Sequence, residues 1–276
     1  MVEERELIAW ISKRAEGVGD DCAVLDCEPW GTLLVTTDSV IDGVHLEWAT
    51  HGPAAFGYKA VARGLSDVAA MGGEPLWAVL AAGLPEGVTE EEGRALYRGA
   101  ERAGCRIVGG DIAFGSCAYA TATVLGRAHE NGPVLRSGAR VGDWIVVTGP
   151  LGGSLESGRH ARFIPRVAEA RRLIESCDLG AMIDVSDGLS TDLLHILEAS
   201  RVGCRMDAEQ IPLDAGVSLD AALNDGEDYE LLATLRPCEL PAGVIRIGTI
   251  TPRDALLVLP GGRSQPLVAG GFEHGA

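Results

Sequence analysis

The chain has 276 residues, 46% of them hydrophobic and 23% charged, which is enough apolar content to bury a real core and excludes a disordered chain. Forty acidic side chains outweigh twenty-three basic ones for a formal net charge of −17, and only Lys13 and Lys59 are lysines. Such a surface repels nucleic acid, and its acidity either suits cationic partners or serves only to keep the protein soluble.

In chain order, an amphipathic start from Glu3 to Arg14, apolar at Leu7, Ile8 and Ile11, predicts a helix ending near Gly17. Strands are predicted at Thr32 to Thr37, Leu76 to Ala82, Arg106 to Val108 and Tyr119 to Arg127, with helices at Ala54 to Met71 and Glu90 to Ala103. A turn-rich segment, His129 to Gly142, precedes a second set: strand Trp144 to Thr148, helix Pro165 to Cys177, strand Ala181 to Val185, helix Ser190 to Ser200, and strands near Cys204, Tyr229 and Val244. The fold class is therefore α/β in two domains, residues 1–137 and 138–276.

The seven cysteines form no C-x-x-C pair, which suits reduced thiols rather than a disulfide framework or a zinc site. The acidic Met1-Val-Glu-Glu-Arg-Glu6 is unlike a secretory leader, and the longest clean apolar stretch, Trp77 to Leu84, is too short to span a bilayer. A cytoplasmic protein without a membrane partner is expected.

Aspartates recur where the predicted strands hand over to loops: Asp20-Asp21, Asp38 after Thr36-Thr37, Gly110-Asp111, and Asp184-Val-Ser186-Asp187-Gly188. Asp is a short, hard oxygen ligand, and several converging from different loops can hold Mg²⁺ while leaving positions for phosphate and water. Carboxylates that close need a counter-ion, because they otherwise repel and raise one another's pKa. Taken singly, each pair is also ordinary turn chemistry. Lys59, Arg63 and Asp67 recur every four residues on one helix face, as a functional edge or as surface ion pairs. His45 offers an imidazole to an anion or is an ordinary half-buried histidine. There is no Gly-x-x-x-x-Gly-Lys-Ser/Thr loop, dinucleotide fingerprint or Gly-x-Ser-x-Gly elbow, so a bound nucleotide needs another scaffold and a covalent nucleophile is not indicated.

In order along the chain, Gly19-Asp-Asp-Cys-Ala, Thr36-Thr-Asp-Ser with Gly43-Val-His45, Leu65-Ser-Asp67-Val-Ala-Ala-Met-Gly, Gly109-Gly-Asp111, Arg136-Ser-Gly-Ala, Asp184-Val-Ser-Asp187-Gly-Leu and Gly226-Glu-Asp-Tyr-Glu-Leu resemble the thiamine-monophosphate kinase family, relatives of aminoimidazole ribonucleotide synthetase. The resemblance implies an amino-terminal α/β domain that pairs with a second subunit into a shared barrel, and a carboxy-terminal domain closing over ATP. It implies metal ligands at Asp21, Thr36, Thr37, Asp38, Asp67, Asp111, Asp184 and Asp187. Nucleotide contacts are implied at Gly110, Asp111, Arg136 and Ser186, and substrate contacts at His45, Glu227, Asp228 and Phe272. The implied reaction is direct, in-line transfer of the ATP γ-phosphoryl to thiamine monophosphate with several Mg²⁺ ions, K⁺ being a candidate helper.

Four features depart from the family pattern: a short stretch from Gly153 to Pro165, Leu46 in place of Phe after His45, Ile112 after Gly109-Gly-Asp, and the tail Gly271-Phe-Glu-His-Gly. They fall on the substrate side. A related ATP-dependent enzyme with another small acceptor, or a non-catalytic Mg-ATP-binding paralogue, are the alternative readings.

Overall fold

The structure, a computed structural model, describes residues 10–11, 13, 19–29 and 31–271. The expected first helix therefore lies outside the described residues apart from Trp10 and Ile11, which are helical, and Lys13, which lies in a turn. Two sheets follow one another along the chain. The first contains β1 (Ala23–Asp26), β2 (Thr32–Ile41), β3 (Glu74–Pro85), β4 (Arg106–Gly115) and β5 (Tyr119–Arg127) in the order β1-β2-β5-β3-β4. It is antiparallel except for the parallel pair of β3 with β4. Helices α1 (Pro53–Ala70) and α2 (Glu90–Arg102) cover one face, and one helical turn at Trp48–His51 precedes α1. In this single chain the sheet is open, with β1 and β4 as its edges, not a closed barrel.

The second sheet has seven strands: β6 (Trp144–Val147), β7 (Leu179–Asp184), β8 (Gly203–Asp207), β9 (Leu231–Leu235), β10 (Ile245–Thr251), β11 (Ala255–Val258) and β12 (Ser264–Pro266). Their order is β12-β11-β8-β10-β6-β9-β7, with α3 (Val167–Ser176), α4 (Leu189–Ser200) and the short α5 (Leu219–Asn224) packed around them. The expected elements recur close to their places, but two strands run further than their sequences suggest. β2 continues through Asp38 and Ser39 to Ile41, because a nine-residue ladder with β5 outweighs the poor strand propensity of an aspartate. β4 continues through Gly109-Gly110, read from sequence as a loop. A Cβ at Gly110 would come within 1.9 Å of the Leu80 carbonyl oxygen, so the glycine permits close strand pairing instead of ending it. The strand expected near Tyr229 starts only at Leu231, since Glu227 and Tyr229 have φ of 57° and 53°.

Each sheet has its own apolar core, and a third core joins the two halves. There Ala69 and Ala70, at the end of α1, pack with Ala170, Leu173, Met182 and Leu231. This seam fixes α1 against the second sheet, so side chains on α1 can meet groups at the end of β7. Helices α1 and α2 cross closely: a Cβ at Gly57 would stand 1.9 Å from the Leu96 carbonyl oxygen, and one at Gly99 would stand 2.0 Å from that of Ala54. We expect Gly57→Ala to force these backbones apart and lower stability by about 1–3 kcal/mol, read as a reduced midpoint in urea unfolding.

The outer edge is less satisfied. Val108, Ile112 and Phe114 of β4 are 54%, 66% and 73% exposed, a long apolar edge of the kind that lone domains ordinarily blunt. Among the described residues, no helix is long and apolar enough to cross a membrane.

Candidate active site

The two halves meet over a small acidic cavity of about 250 Å³, lined by Asp20, Asp21, Thr36, Thr37, Asp38, Arg63, Asp67, Arg136, Asp184, Ser186 and Tyr229. Each acid arrives on a different element. Asp21 precedes β1, Asp38 lies within β2, Asp67 projects from the last turns of α1, and Asp184 ends β7. Carboxylate oxygens of Asp21, Asp67 and Asp184 can all lie within 4.8 Å of one another. The Thr36 hydroxyl donates to Asp67 at 2.5 Å, and the Ser66 hydroxyl donates to Asp184 at 2.5 Å. Two guanidinium groups partly offset the charge: Arg136 bonds Asp21 at 2.9 Å, and Arg63 bonds Asp38 at 2.9 Å.

Burial and mutual repulsion set the protonation of the cluster. Asp184 is pushed up to about 7 by burial first and by the Asp21 charge second. Asp67 is raised well above the carboxylate range by burial, with Asp38, Asp184 and Asp21 adding to the effect. Asp21 is raised by burial despite the opposing pull of Arg136. These groups pay a large desolvation cost that a divalent cation removes, and every donor is a hard oxygen. The residues therefore fit Mg²⁺ better than a softer metal.

The stripe Lys59, Arg63 and Asp67 is not a solvent face. Lys59 is completely buried, ion-pairs with Glu227 and donates to the His45 carbonyl at 3.1 Å. Arg63 reaches Asp38 and the Ser39 carbonyl, while Asp67 enters the acid cluster. One helix thus ties together the His45 loop, β2 and the Glu227 loop. Lys59→Met would leave the Glu227 carboxylate without its cation, and a loss of about 2–3 kcal/mol is expected in urea unfolding.

The family model for AIR synthase related protein, N-terminal domain, matches residues 19–128. The thiamine-monophosphate kinase of Rhodopirellula baltica is 35% identical over 293 residues, covering 95% of this chain and 92% of that protein. That of Escherichia coli K12 is also 35% identical, over 79% of this chain and 76% of that protein. The chain belongs to the thiamine-monophosphate kinase family. Among solved structures, AaThiL complexed with AMPPCP and TMP superposes with a TM-score of 0.88, covering 99% of this chain and 97% of that one at 29% identity.

The residues that family resemblance singles out do not all reach the acidic cavity. Asp21, Thr36, Thr37, Asp38, Asp67, Asp184, Arg136 and Ser186 line it. Gly110 and Asp111 do not. They sit in mid-β4, beside a different cavity lined by Leu80, Leu96 and Tyr97. In the ladder Ser39 pairs with Thr121, Thr121 with Ala81 and Ala81 with Asp111. Asp111 is thus three strands from Ser39, roughly 14 Å away, and alternation puts it on the face opposite Asp38. Asp187 begins the turn into α4, where its N–H donates to Asp192 at 3.1 Å.

On the substrate side, the Nδ1 of His45 accepts from the Ile41 N–H at 3.1 Å. Asp228 is buried away from the acids. It accepts from the Gly152 N–H at 2.8 Å and from Arg159 at 2.7 Å, and burial pushes it up to about 7. Phe272 lies outside the described residues. The short stretch after Gly153 is held down: the Ser154 hydroxyl donates to the Glu227 carbonyl at 2.6 Å, Tyr58 donates to the Phe163 carbonyl at 2.6 Å, and Phe163 stacks on Tyr229 with centroids 3.7 Å apart. Sequence reasoning missed Ser66 and Tyr229 as site residues and left Arg63 open between a functional edge and a surface ion pair. The usable signal was that Ser66 and Arg63 flank Asp67 on one helix and Tyr229 follows Glu227-Asp228.

Proposed function

We propose that this chain phosphorylates thiamine monophosphate to the diphosphate, using ATP and Mg²⁺ by direct in-line transfer. The observation that carries this reading is the convergence of Asp21, Asp67 and Asp184 within 4.8 Å in one cavity, in a chain 35% identical to thiamine-monophosphate kinases along nearly its whole length. Asp21, Thr36, Thr37, Asp38, Asp67 and Asp184 would hold the Mg²⁺ ions, with Asp187 close to the same turn. Mg²⁺ there would shield the negative charge on donor and acceptor phosphates, which otherwise keeps the two anions apart.

The protein's own part is positioning. Arg63 and Arg136, already turned into the cavity beside Asp38 and Asp21, carry cationic groups suited to phosphate oxygens. Ser186 adds a hydroxyl donor from the turn before α4. His45 and Glu227, joined through Lys59, supply a polar wall suited to the acceptor. No general base is required, because a phosphate oxygen is already an anionic nucleophile at neutral pH.

The exposed β4 edge, with Ile112 and Phe114, suits a homodimer through the amino-terminal domain. Gly110 and Asp111 lie on that edge, so their proposed nucleotide contacts depend on a second copy being seated there. Light scattering reads the assembly directly, and a monomer at working concentration would remove this part of the reading.

The deciding assay mixes the purified protein, Mg²⁺, ATP and thiamine monophosphate. ADP and thiamine diphosphate in equal amounts are expected, with neither formed in EDTA. ADP formed without the diphosphate would assign the site to another acceptor, and tight ATP binding without turnover would leave a binding module.

A further inference from the structure

Cys177 and Cys238 are 61 positions apart in sequence, yet their Sγ atoms are 3.3 Å apart. Neither takes part in the acidic cavity. Cys177 caps α3, its N–H donating to the Leu173 carbonyl at 2.9 Å, and Cys238 lies three residues past the end of β9. The backbone between them is already joined, because the Arg236 N–H donates to the Asp178 carbonyl at 3.0 Å and Leu179 pairs with Leu235. Covalent closure therefore calls for a small side-chain adjustment of two segments held in place, the condition under which a disulfide forms without distorting its surroundings. The sulfurs lie at the margin of the core shared by the two halves, beside Ile174, Leu240 and Val244. Cys177 also lines an open cavity with Asn131, Pro133 and Asp178, which gives a small reagent access.

We propose that Cys177 and Cys238 form a reversible disulfide by exchange with a low-molecular-weight disulfide such as oxidised glutathione. One protein thiolate attacks a sulfur of the small disulfide, breaking its S–S bond and releasing one small thiolate. The second protein thiol loses its proton and attacks the protein sulfur of the mixed disulfide, releasing the other. Two protein thiols are oxidised, one small disulfide is reduced, and the two protons pass to the two leaving thiolates. Burial and the neighbouring Cys238 sulfur push the Cys177 thiol up to about 12, so exchange is slow near neutral pH and a reducing medium leaves the pair open.

The position of the pair decides its effect. Asp184 ends the same strand that Cys177 precedes, seven residues and roughly 20 Å away, so the bond leaves the acidic cavity untouched. It closes a long loop between α3 and β9 and restricts the unfolded chain. The effect falls on stability and not on turnover.

The test treats the full chain with oxidised glutathione, alkylates the remaining thiols and maps peptides by mass spectrometry. A peptide joined through Cys177 and Cys238 is expected, together with a rise in Tm of roughly 5–10 °C that dithiothreitol reverses and ATP turnover within twofold of the reduced protein. Cys177→Ser and Cys238→Ser each lose the joined peptide and the Tm rise, and the peptide map of the unaltered chain needs no variant to fold. Both residues alkylated after oxidation, glutathione left on either without the joined peptide, or joining without a Tm change would overturn the proposal. Peptide map and Tm are independent of which phosphate acceptor the enzyme uses.

Discussion

Asp67→Asn is expected to lower turnover about a thousandfold while raising the thermal stability of the metal-free protein. The two effects share one cause. Asp67 is buried among Asp21 and Asp184 and accepts the Thr36 hydroxyl at 2.5 Å, and its carboxyl is held far above its ordinary value by burial and by the other acids. Asn keeps the size and can still accept from Thr36, so packing survives. It removes one negative charge from a place where charge is costly without a cation, which favours the empty fold. It also removes a hard anionic ligand from the proposed cation site, and losing one such electrostatic contact to a transferring phosphoryl group costs on the order of 4 kcal/mol of barrier, or about three powers of ten. Steady-state ADP release and a thermal melt in EDTA measure the two sides. Near-normal turnover would remove Asp67 from the catalytic cluster, and a lower metal-free Tm would show that its charge is not repelled there.

The pH dependence of stability is the second large effect, and its sign is unusual for carboxylates. Asp184 stands at about 7 in the folded chain against 3.8 as its ordinary value, so between those limits the folded state holds a proton that the unfolded state has released. Stability then falls as pH rises from about 4 through 7, and the loss is complete above that range. For Asp184 alone this amounts to on the order of 4 kcal/mol, and Asp67 acts in the same direction. The metal-free protein should therefore melt at higher temperature at pH 5.5 than at pH 8. Mg²⁺ should reverse the order, because a bound cation favours the deprotonated acids, and its stabilising effect should be several-fold larger at pH 8. Melts at both pH values, with EDTA and with Mg²⁺, read this directly. A metal-free Tm that rises towards pH 8, or an equal Mg²⁺ effect at both, would sink the account. In Asp67→Asn the slope should shrink.

Much of the arrangement was legible in the residues themselves. The helical spacing from Ala54 to Met71 reappears as α1, and Tyr119–Arg127 is a strand with the same bounds, because both patterns follow directly from burying one face. Asp21, Asp38 and Asp184 stood out as candidate cation ligands because they sit beside glycines and hydroxylated residues, and Asp67 joined them through the family resemblance. What failed was the inference that such residues mark strand ends. Asp38 and Asp111 lie within strands, and cross-strand pairing, invisible in a local window, decided it. The same blindness left Arg63 undecided: its spacing with Lys59 and Asp67 suits a functional edge or a surface ion-pair row equally, and only the packing of α1 under both sheets turns all three inward.

By itself the sequence determined the chemistry available to this protein: hard oxygen ligands in quantity, no motif that marks a covalent catalytic nucleophile, and an alternation of strands and helices that could form two sheets. Only the tertiary structure decided which ligands meet. Residues as far apart in the chain as Asp21 and Asp184 share one cavity because α1 is seated by an apolar seam between the two halves, while Asp111, with the same side chain, is carried three strands away on the opposite face. Side-chain type is a local property, but convergence depends on long-range packing and strand register, and these are set by the whole chain.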